Sequence, residues 1–428
     1  MTRLCLSLIL AATLGCASRV PAPNMNQIAE RYVKLVLAVG QHDENFVDAY
    51  YGDASWKPTG TPVGLEELAK RAAALRADLR TVKIEEAGDV LQPLRFAYLD
   101  KQLAAVEARL AMLMGVKLSF DDEAARLYDA APPKKTEADF QPVLDDLDRL
   151  LPGSGSLIDR YAAFRNKYVI PTAKLDAVFR AAIDECRART MAHLTLPAGE
   201  TFTVEYVKGK SWSAYNWYKG NFTSVIQVNT DFPITIDRAI DLACHEGYPG
   251  HHVYNALLEK HLVRDRGWVE FSVYPLFTPQ SLIAEGTANF GIEVAFPSET
   301  RTAFEREKLY PLAGIDPETA ETFAAVQQAV AKLSYAGNEA ARRYLNGDID
   351  RAAAAAYLQK YAMTPKDRAE QRTRFFDQYR SYVINYNLGQ DLARAYIEKH
   401  GGTVDHPDVR WKLFGELLSS PRLPSGLR

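Results

Sequence analysis

Residues 237–252, DRAIDLACHEGYPGHH, decide how this chain is read. The first ten carry helical periodicity, and residues 245–252 place three of the chain's eight histidines beside a carboxylate. Two histidines at i and i+4 on one helix, with a glutamate directly after the first, are a common zinc-hydrolase pattern. Neutral imidazoles suit zinc, and the glutamate must sit beside the metal's water to take its proton. The spacing here is longer than that. On an ideal helix position i+4 lies about 40° round and about 6 Å along from i, whereas i+6 is rotated about 120° off that face and i+7 lies about 10.5 Å along. Pro249 cannot donate the helical hydrogen bond and disfavours helical geometry at Tyr248, while Gly250 tolerates unusual dihedrals. Together they predict a bulge. Looping out two residues returns His251 to the face of His245; looping out three would return His252 instead. His251 is favoured because less backbone is displaced, which leaves His252 as a neighbour of the ligands or of the substrate.

A site of this kind needs a third protein ligand and one open position. Downstream, residues 281–290 read SLIAEGTANF, with Glu285 on an expected helix and Asn289 one turn further on the same face. A ligand glutamate with a polar partner one turn on can supply both a metal bond and a hydrogen bond that orients a ligating histidine. Glu293 and Glu270 are the other candidates, and Asp241, one turn before His245, could orient that histidine too. His42, His193, His261, His400 and His406 lack such context.

The rest of the chain is mostly helical in pattern. Residues 25–200 repeat apolar positions at three- and four-residue spacing, punctuated by Pro132-Pro133, Pro152-Gly153 and Pro171. Residues 201–232 change character, dense in Thr, Val and aromatics with period-two stretches. That predicts a small antiparallel β element turning near Gly209 and Gly220-Asn221, whose edge could take an extended peptide as an added strand. The fold class expected is mainly α, with residues 201–428 carrying the metal region in one continuous body with 25–200.

Residues 1–15 have the charge and apolar run of an export signal, too short for a permanent bilayer span. The Thr13-Leu14-Gly15-Cys16 ending resembles a bacterial lipobox, with Cys16 as the acylated residue and 16–24 as a tether. Thr13 departs from the usual leucine, which leaves ordinary signal cleavage open. The expected location is the cell envelope on its periplasmic side, with the membrane engaged only through that lipid anchor. Cys186 and Cys244 are expected as free, buried thiols, since two cysteines are no framework for a chain of 428 residues. With 47% hydrophobic residues and a net charge of −3, the chain is globular and has no phosphate-seeking surface, which argues against nucleic acid.

At HEGYPGHH and the EG-x-A segment from Glu285, within an exported helix-rich chain, the sequence resembles the family known as domain of unknown function 885. Its members are largely bacterial, often lipoproteins, and similar to gluzincin metallopeptidases. The resemblance implies a gluzincin-like helical body, zinc and hydrolysis, and it maps onto His245, Glu246 and His251, with Glu285 as the downstream glutamate. Thr287 stands where many members have an aromatic, and Asn289 is the neutral counterpart of the aspartate that gluzincins often carry.

The expected function is zinc-dependent hydrolysis of a peptide or small amide, with Glu246 as general base. An oxyanion donor is sought in residues 379–386, where Tyr382 and Tyr386 are the candidates against a plain reading as core tyrosines. Two competing readings share the metal residues: a hydrolase of non-peptide amides or esters, and a non-catalytic lipoprotein that binds metal or peptide. Retention of Glu246 argues against the second.

Overall fold

The helical pattern of the N-terminal half begins with a reciprocal cap. Asn24 Oδ1 accepts from the Gln27 backbone N–H, and Gln27 Oε1 accepts from the Asn24 N–H, each at 3.0 Å. The computed structural model describes residues 24–84 and 88–428. The expected export segment at 1–15, Cys16 and all of the tether but Asn24 lie outside the described residues.

The fold is mainly helical. Helices Met25–Val39, Leu65–Leu79 and Leu91–Leu113 pack together in the N-terminal part, and the proline pairs fall between helices as expected. Strand β1 (Val47–Tyr50), not foreseen in this helical stretch, pairs antiparallel with β5 (Val273–Pro275). Strands β2 (Thr201–Val207), β3 (Ala214–Gly220) and β4 (Thr223–Asn229) form a second sheet in the order β2-β4-β3. The β3–β4 pair is the expected antiparallel hairpin. It turns at Gly220, Asn221 and Phe222, which all have positive φ (77°, 52° and 59°). Strand β2 differs from a simple meander because it joins β4 in parallel. The reason is the 208–213 connection, which crosses the end of β4 instead of folding straight back. Asn229 Nδ2 pins it there by donating to the Lys210 and Trp212 carbonyls at 3.0 and 2.9 Å.

One apolar core runs from Met25 to Leu427. Within it, buried Arg95 grips Glu270 through two bonds, Nε to Oε1 at 2.5 Å and Nη2 to Oε2 at 3.0 Å, tying helix Leu91–Leu113 to the segment before β5. That pairing occupies Glu270 in the core. Among the described residues, no helix is long and apolar enough to cross a membrane.

Helices Pro279–Ala295 and Ile384–Lys399 pack backbone against backbone. A Cβ on Gly286 would lie 2.3 to 2.6 Å from backbone atoms of Gly389, and one on Gly389 would lie 2.5 Å from the Leu282 carbonyl oxygen. Backbone met by backbone has no rotamer to yield. Gly286→Ala and Gly389→Ala should therefore each destabilise the protein by about 1–3 kcal/mol, read from urea midpoints. Gly426→Ala, where an added Cβ meets nothing within 4 Å, should leave the midpoint unchanged.

Candidate metal centre

Helix Asp237–Leu242 runs into a π-helical turn at Ala243–Gly247, and a second helix, His251–Leu258, starts after the break. The expected bulge is thus a complete interruption. Tyr248 is extended (φ −115°, ψ 118°), and Gly250 N–H closes the turn by donating to the Cys244 carbonyl at 2.9 Å. A side chain at Gly250 is excluded, because its Cβ would sit 1.9 Å from the His245 carbonyl oxygen. This tight return brings the rings of His245 and His251 to 4.6 Å, centroid to centroid.

Glu285 completes the set from helix Pro279–Ala295. Its Oε2 lies 3.2 Å from His245 Nε2 and 3.6 Å from His251 Nε2, and the three side chains can bring one ligand atom each within 4.8 Å of one another. Its Oε1 accepts from Tyr382 Oη at 2.7 Å. Asn289 lies one turn on and faces His245. Its Oδ1 lies 2.9 Å from His245 Nδ1, while its Nδ2 donates to the Tyr386 carbonyl at 2.9 Å. Since Nδ2 is the donor there, Oδ1 is an acceptor, so His245 carries a proton on Nδ1 and its Nε2 is the ring atom turned to Glu285.

The electrostatics follow from burial. Desolvation opposes the Glu285 charge, but the two imidazoles outweigh it and hold its pKa far below the carboxylate range. Burial likewise opposes charge on His251, yet Glu285, Glu246 and Asp48 raise its pKa to about 9. Without a cation, a proton on an imidazole is what balances this cluster. Glu285 Oε2 is nevertheless buried with no hydrogen-bond partner. A donor set of two imidazole nitrogens and one such carboxylate oxygen fits a divalent ion of the zinc type.

Glu246 is buried, and desolvation raises its pKa; Glu285 adds to the rise while His245 and His251 oppose it. With the three candidate ligands it lines a cavity of about 1660 Å³. The first residues of strand β3, Ala214, Tyr215 and Asn216, line this cavity, and Asn216 Nδ2 steadies the turn by donating to the Glu246 carbonyl at 2.7 Å. Tyr386 lines the cavity as well, its ring 6.4 Å from that of His245, and its hydroxyl makes no hydrogen bond among the described residues.

Other candidates stand elsewhere. Asp241 does not orient His245; it pairs with Arg238 and Arg301 at 3.0 and 2.8 Å. Glu293 binds Arg394 and Gln390. His252 faces away from the ligands, because the start of a new helix at His251 turns the next residue into the protein. Its Nδ1 meets Ser224 Oγ and its Nε2 meets Glu200 Oε2, each at 2.9 Å. The Ser-His-Glu order resembles a hydrolytic triad, but all three residues are buried and none lines the cavity. They tie β4 and helix His251–Leu258 to the start of β2. Burial opposes the Glu200 charge, but bonds from His252, Tyr248 and Arg187 keep its pKa low. Cys186 and Cys244 are free and buried; desolvation and the adjoining Cys244 push the Cys186 thiol well up.

Sequence reading missed Asp48 on β1, which accepts from Tyr215 Oη of β3 and lines the same cavity. It lies nearly two hundred residues before the histidines, and no spacing rule connects it to them.

The chain matches no protein-family model and no curated protein. Among solved structures it is similar to a candidate lipoprotein from Colwellia psychrerythraea, at 15% identity and a TM-score of 0.52, covering 87% of this chain and 69% of that one. A candidate lipoprotein of unknown function from Shewanella oneidensis aligns at 13% identity and a TM-score of 0.44, over 82% and 72% of the two chains. At such identity the first likeness speaks for the fold alone.

Burial raises the Asp48 pKa from 3.8 to about 6, with Tyr215 and His251 pulling it down and Glu285 and Glu246 pushing it up. Between those values the folded state holds more protons than the unfolded, so stability falls as pH rises through that window. In metal-free protein, Asp48→Asn should remove that part of the fall and leave the variant more stable than wild type at pH 7. Urea titrations at pH 4 and pH 7 check this, and an equal effect of the substitution at both would contradict it.

Proposed function

We propose that this chain is a zinc-dependent hydrolase of the cell envelope that cleaves peptide bonds. His245, His251 and Glu285 would hold the metal, and Glu246 would act as general base. The observation that carries the reading is Glu285 Oε2, buried without a hydrogen-bond partner and aimed at two imidazole Nε2 atoms, with the Glu246 carboxylate on the same cavity. A zinc ion held there would supply Lewis acidity and a water of lowered pKa.

The chain's own groups do the remaining work. Asn289 keeps the His245 proton on Nδ1, and Tyr382 fixes the Glu285 carboxylate through Oε1. Glu246, with its pKa raised by burial, accepts a proton from water and returns it to the leaving amine. Tyr382 spends its hydroxyl on Glu285, which leaves Tyr386 as the donor for oxygen charge developing on the carbonyl. Burial holds the Tyr386 phenol well above its ordinary pKa and therefore protonated. The start of edge strand β3, which opens on the cavity, favours an extended peptide over a small ester.

The resemblance of HEGYPGHH and the EG-x-A segment to the domain of unknown function 885 family, and through it to gluzincins, supports the same reading. For location, the lipobox-like Cys16 supports export with a lipid anchor, in keeping with the description of the Colwellia relative.

The test is elemental analysis of the purified protein together with a peptide-library digest read by mass spectrometry. About one zinc per chain is expected, lost in His245→Ala and His251→Ala and kept in His252→Ala. Glu246→Gln should keep the zinc and lower turnover by about 10²–10⁴-fold. Turnover undiminished in Glu246→Gln would overturn the proposed role of that carboxylate, and a wild type that takes up no zinc would overturn the metal site.

A further inference from the structure

Helices Lys366–Tyr379 and Ile384–Lys399 are joined by a turn, Arg380–Val383, that carries Tyr382 to Glu285. The turn opens on a strained backbone. Arg380 has φ 52° and ψ −125°, outside even the left-handed helical well that Asp129 occupies at φ 53° and ψ 24°. A residue with a side chain is strained there, whereas a glycine is not. Strain of this kind persists only where neighbouring contacts over-determine it, and it gathers at functional sites.

The contacts come from one carboxylate. Glu123, buried on helix Phe120–Tyr128, accepts from both residues of the strained link. Its Oε2 accepts from Arg380 Nε at 2.7 Å, and its Oε1 accepts from the Ser381 N–H at 3.1 Å and from Ser381 Oγ at 2.7 Å. The same helix also meets the next residue, with the Tyr128 ring edge-on to that of Tyr382 at 6.0 Å. Beyond the link lies the site itself. Tyr382 Oη donates to Glu285 Oε1 at 2.7 Å, and Tyr386, its ring 5.9 Å from that of Tyr382, lines the cavity. Only Ser381 separates Arg380 from Tyr382, so a rotation about the Arg380 backbone would carry the phenol off the carboxylate. Relief of strain favours that rotation, and Glu123 opposes it. The Glu123 carboxylate spends its bonds on the turn and none on a candidate ligand.

We propose, resting on the reading of His245, His251 and Glu285 as metal ligands, that Glu123 is a positioning residue of that centre. Its grip on Arg380 and Ser381 sets Tyr382 against Glu285 and Tyr386 on the cavity.

The test is zinc affinity, measured by competition with a chelator, together with crystal structures of the metal-free variants. Glu123→Ala should bind zinc about tenfold more weakly than wild type, the scale of loss seen when a partner of a metal ligand is removed. In its structure Arg380 should leave positive φ, and Tyr382 Oη should lie beyond hydrogen-bond distance of Glu285 Oε1. Glu123→Gln and Arg380→Ala each lose the ion pair and keep an acceptor for Ser381, so both should fall between wild type and Glu123→Ala. Tyr382→Phe removes the bond to Glu285 outright, and adding Glu123→Ala to it should cost less than about a further twofold. A Glu123 that served stability alone would lower the melting temperature with zinc affinity unchanged, or would add its full loss to that of Tyr382→Phe. Either result would overturn the proposal, as would a Glu123→Ala structure with Tyr382 still bonded to Glu285. If Glu123→Ala does not fold, Glu123→Gln and Arg380→Ala carry the same comparison in the Tyr382→Phe background. Neither readout needs turnover, so weakened zinc binding in a protein that hydrolyses nothing would keep the positioning role and sink the hydrolase. A wild type without zinc would sink the metal centre, with the crystal structures still deciding whether Glu123 places Tyr382.

Discussion

At Gly286 and Gly389 two helices touch backbone to backbone, with no side chain between them, and the geometry of the candidate site descends from that contact. It brings Glu285 and Asn289, on either side of Gly286 along one helix, against Tyr382 just before the other helix and Tyr386 in its first turn. Tyr382 can then bond the carboxylate, and the Tyr386 carbonyl can hold the asparagine amide. A second forced approach, at Gly250, does the same for the histidines by folding the chain back onto the His245 carbonyl. Two glycines chosen for closeness, and a third facing one of them, set the positions of every candidate ligand.

The electrostatic character of the cavity follows from this crowding. Carboxylates and imidazoles are packed where water is scarce, so each charge depends on its neighbours more than on solvent. Glu285 stays ionised because two imidazoles face it, whereas Glu246 and Asp48 are pushed toward protonation. Carboxylates displaced in opposite directions within one cavity are a recurring feature of sites that both hold a cation and move a proton.

Much of this was legible in the residues. The helix-breaking Pro-Gly pair favoured His251 and left His252 open as the residue returning to the face of His245, and the structure groups His251 with His245 and Glu285. The extent of the interruption was not legible, because a bulge and a full helix break use the same residues. Glu285 and Asn289 followed from one-turn spacing, which is local and therefore visible. Asp241 satisfied the same spacing rule, but Arg301, some sixty residues away, claims it. The parallel placement of β2, the pairing of β1 with β5 and the contribution of Asp48 depend on contacts between distant segments, for which the sequence has no periodic signal. Tyr382 lay in a stripe that reads as core, and it is buried; its bond to Glu285 gives it a use beyond packing.

The most direct measurement is X-ray absorption at the zinc edge of the loaded protein, which reads the atoms around the metal without reference to turnover. Two imidazole nitrogens with oxygen completing the shell are expected in the wild type and in His252→Ala, and no bound zinc in His251→Ala. Sulfur in the shell, which would implicate Cys244, or a shell of oxygen alone would contradict the assignment of His245, His251 and Glu285 as the metal centre.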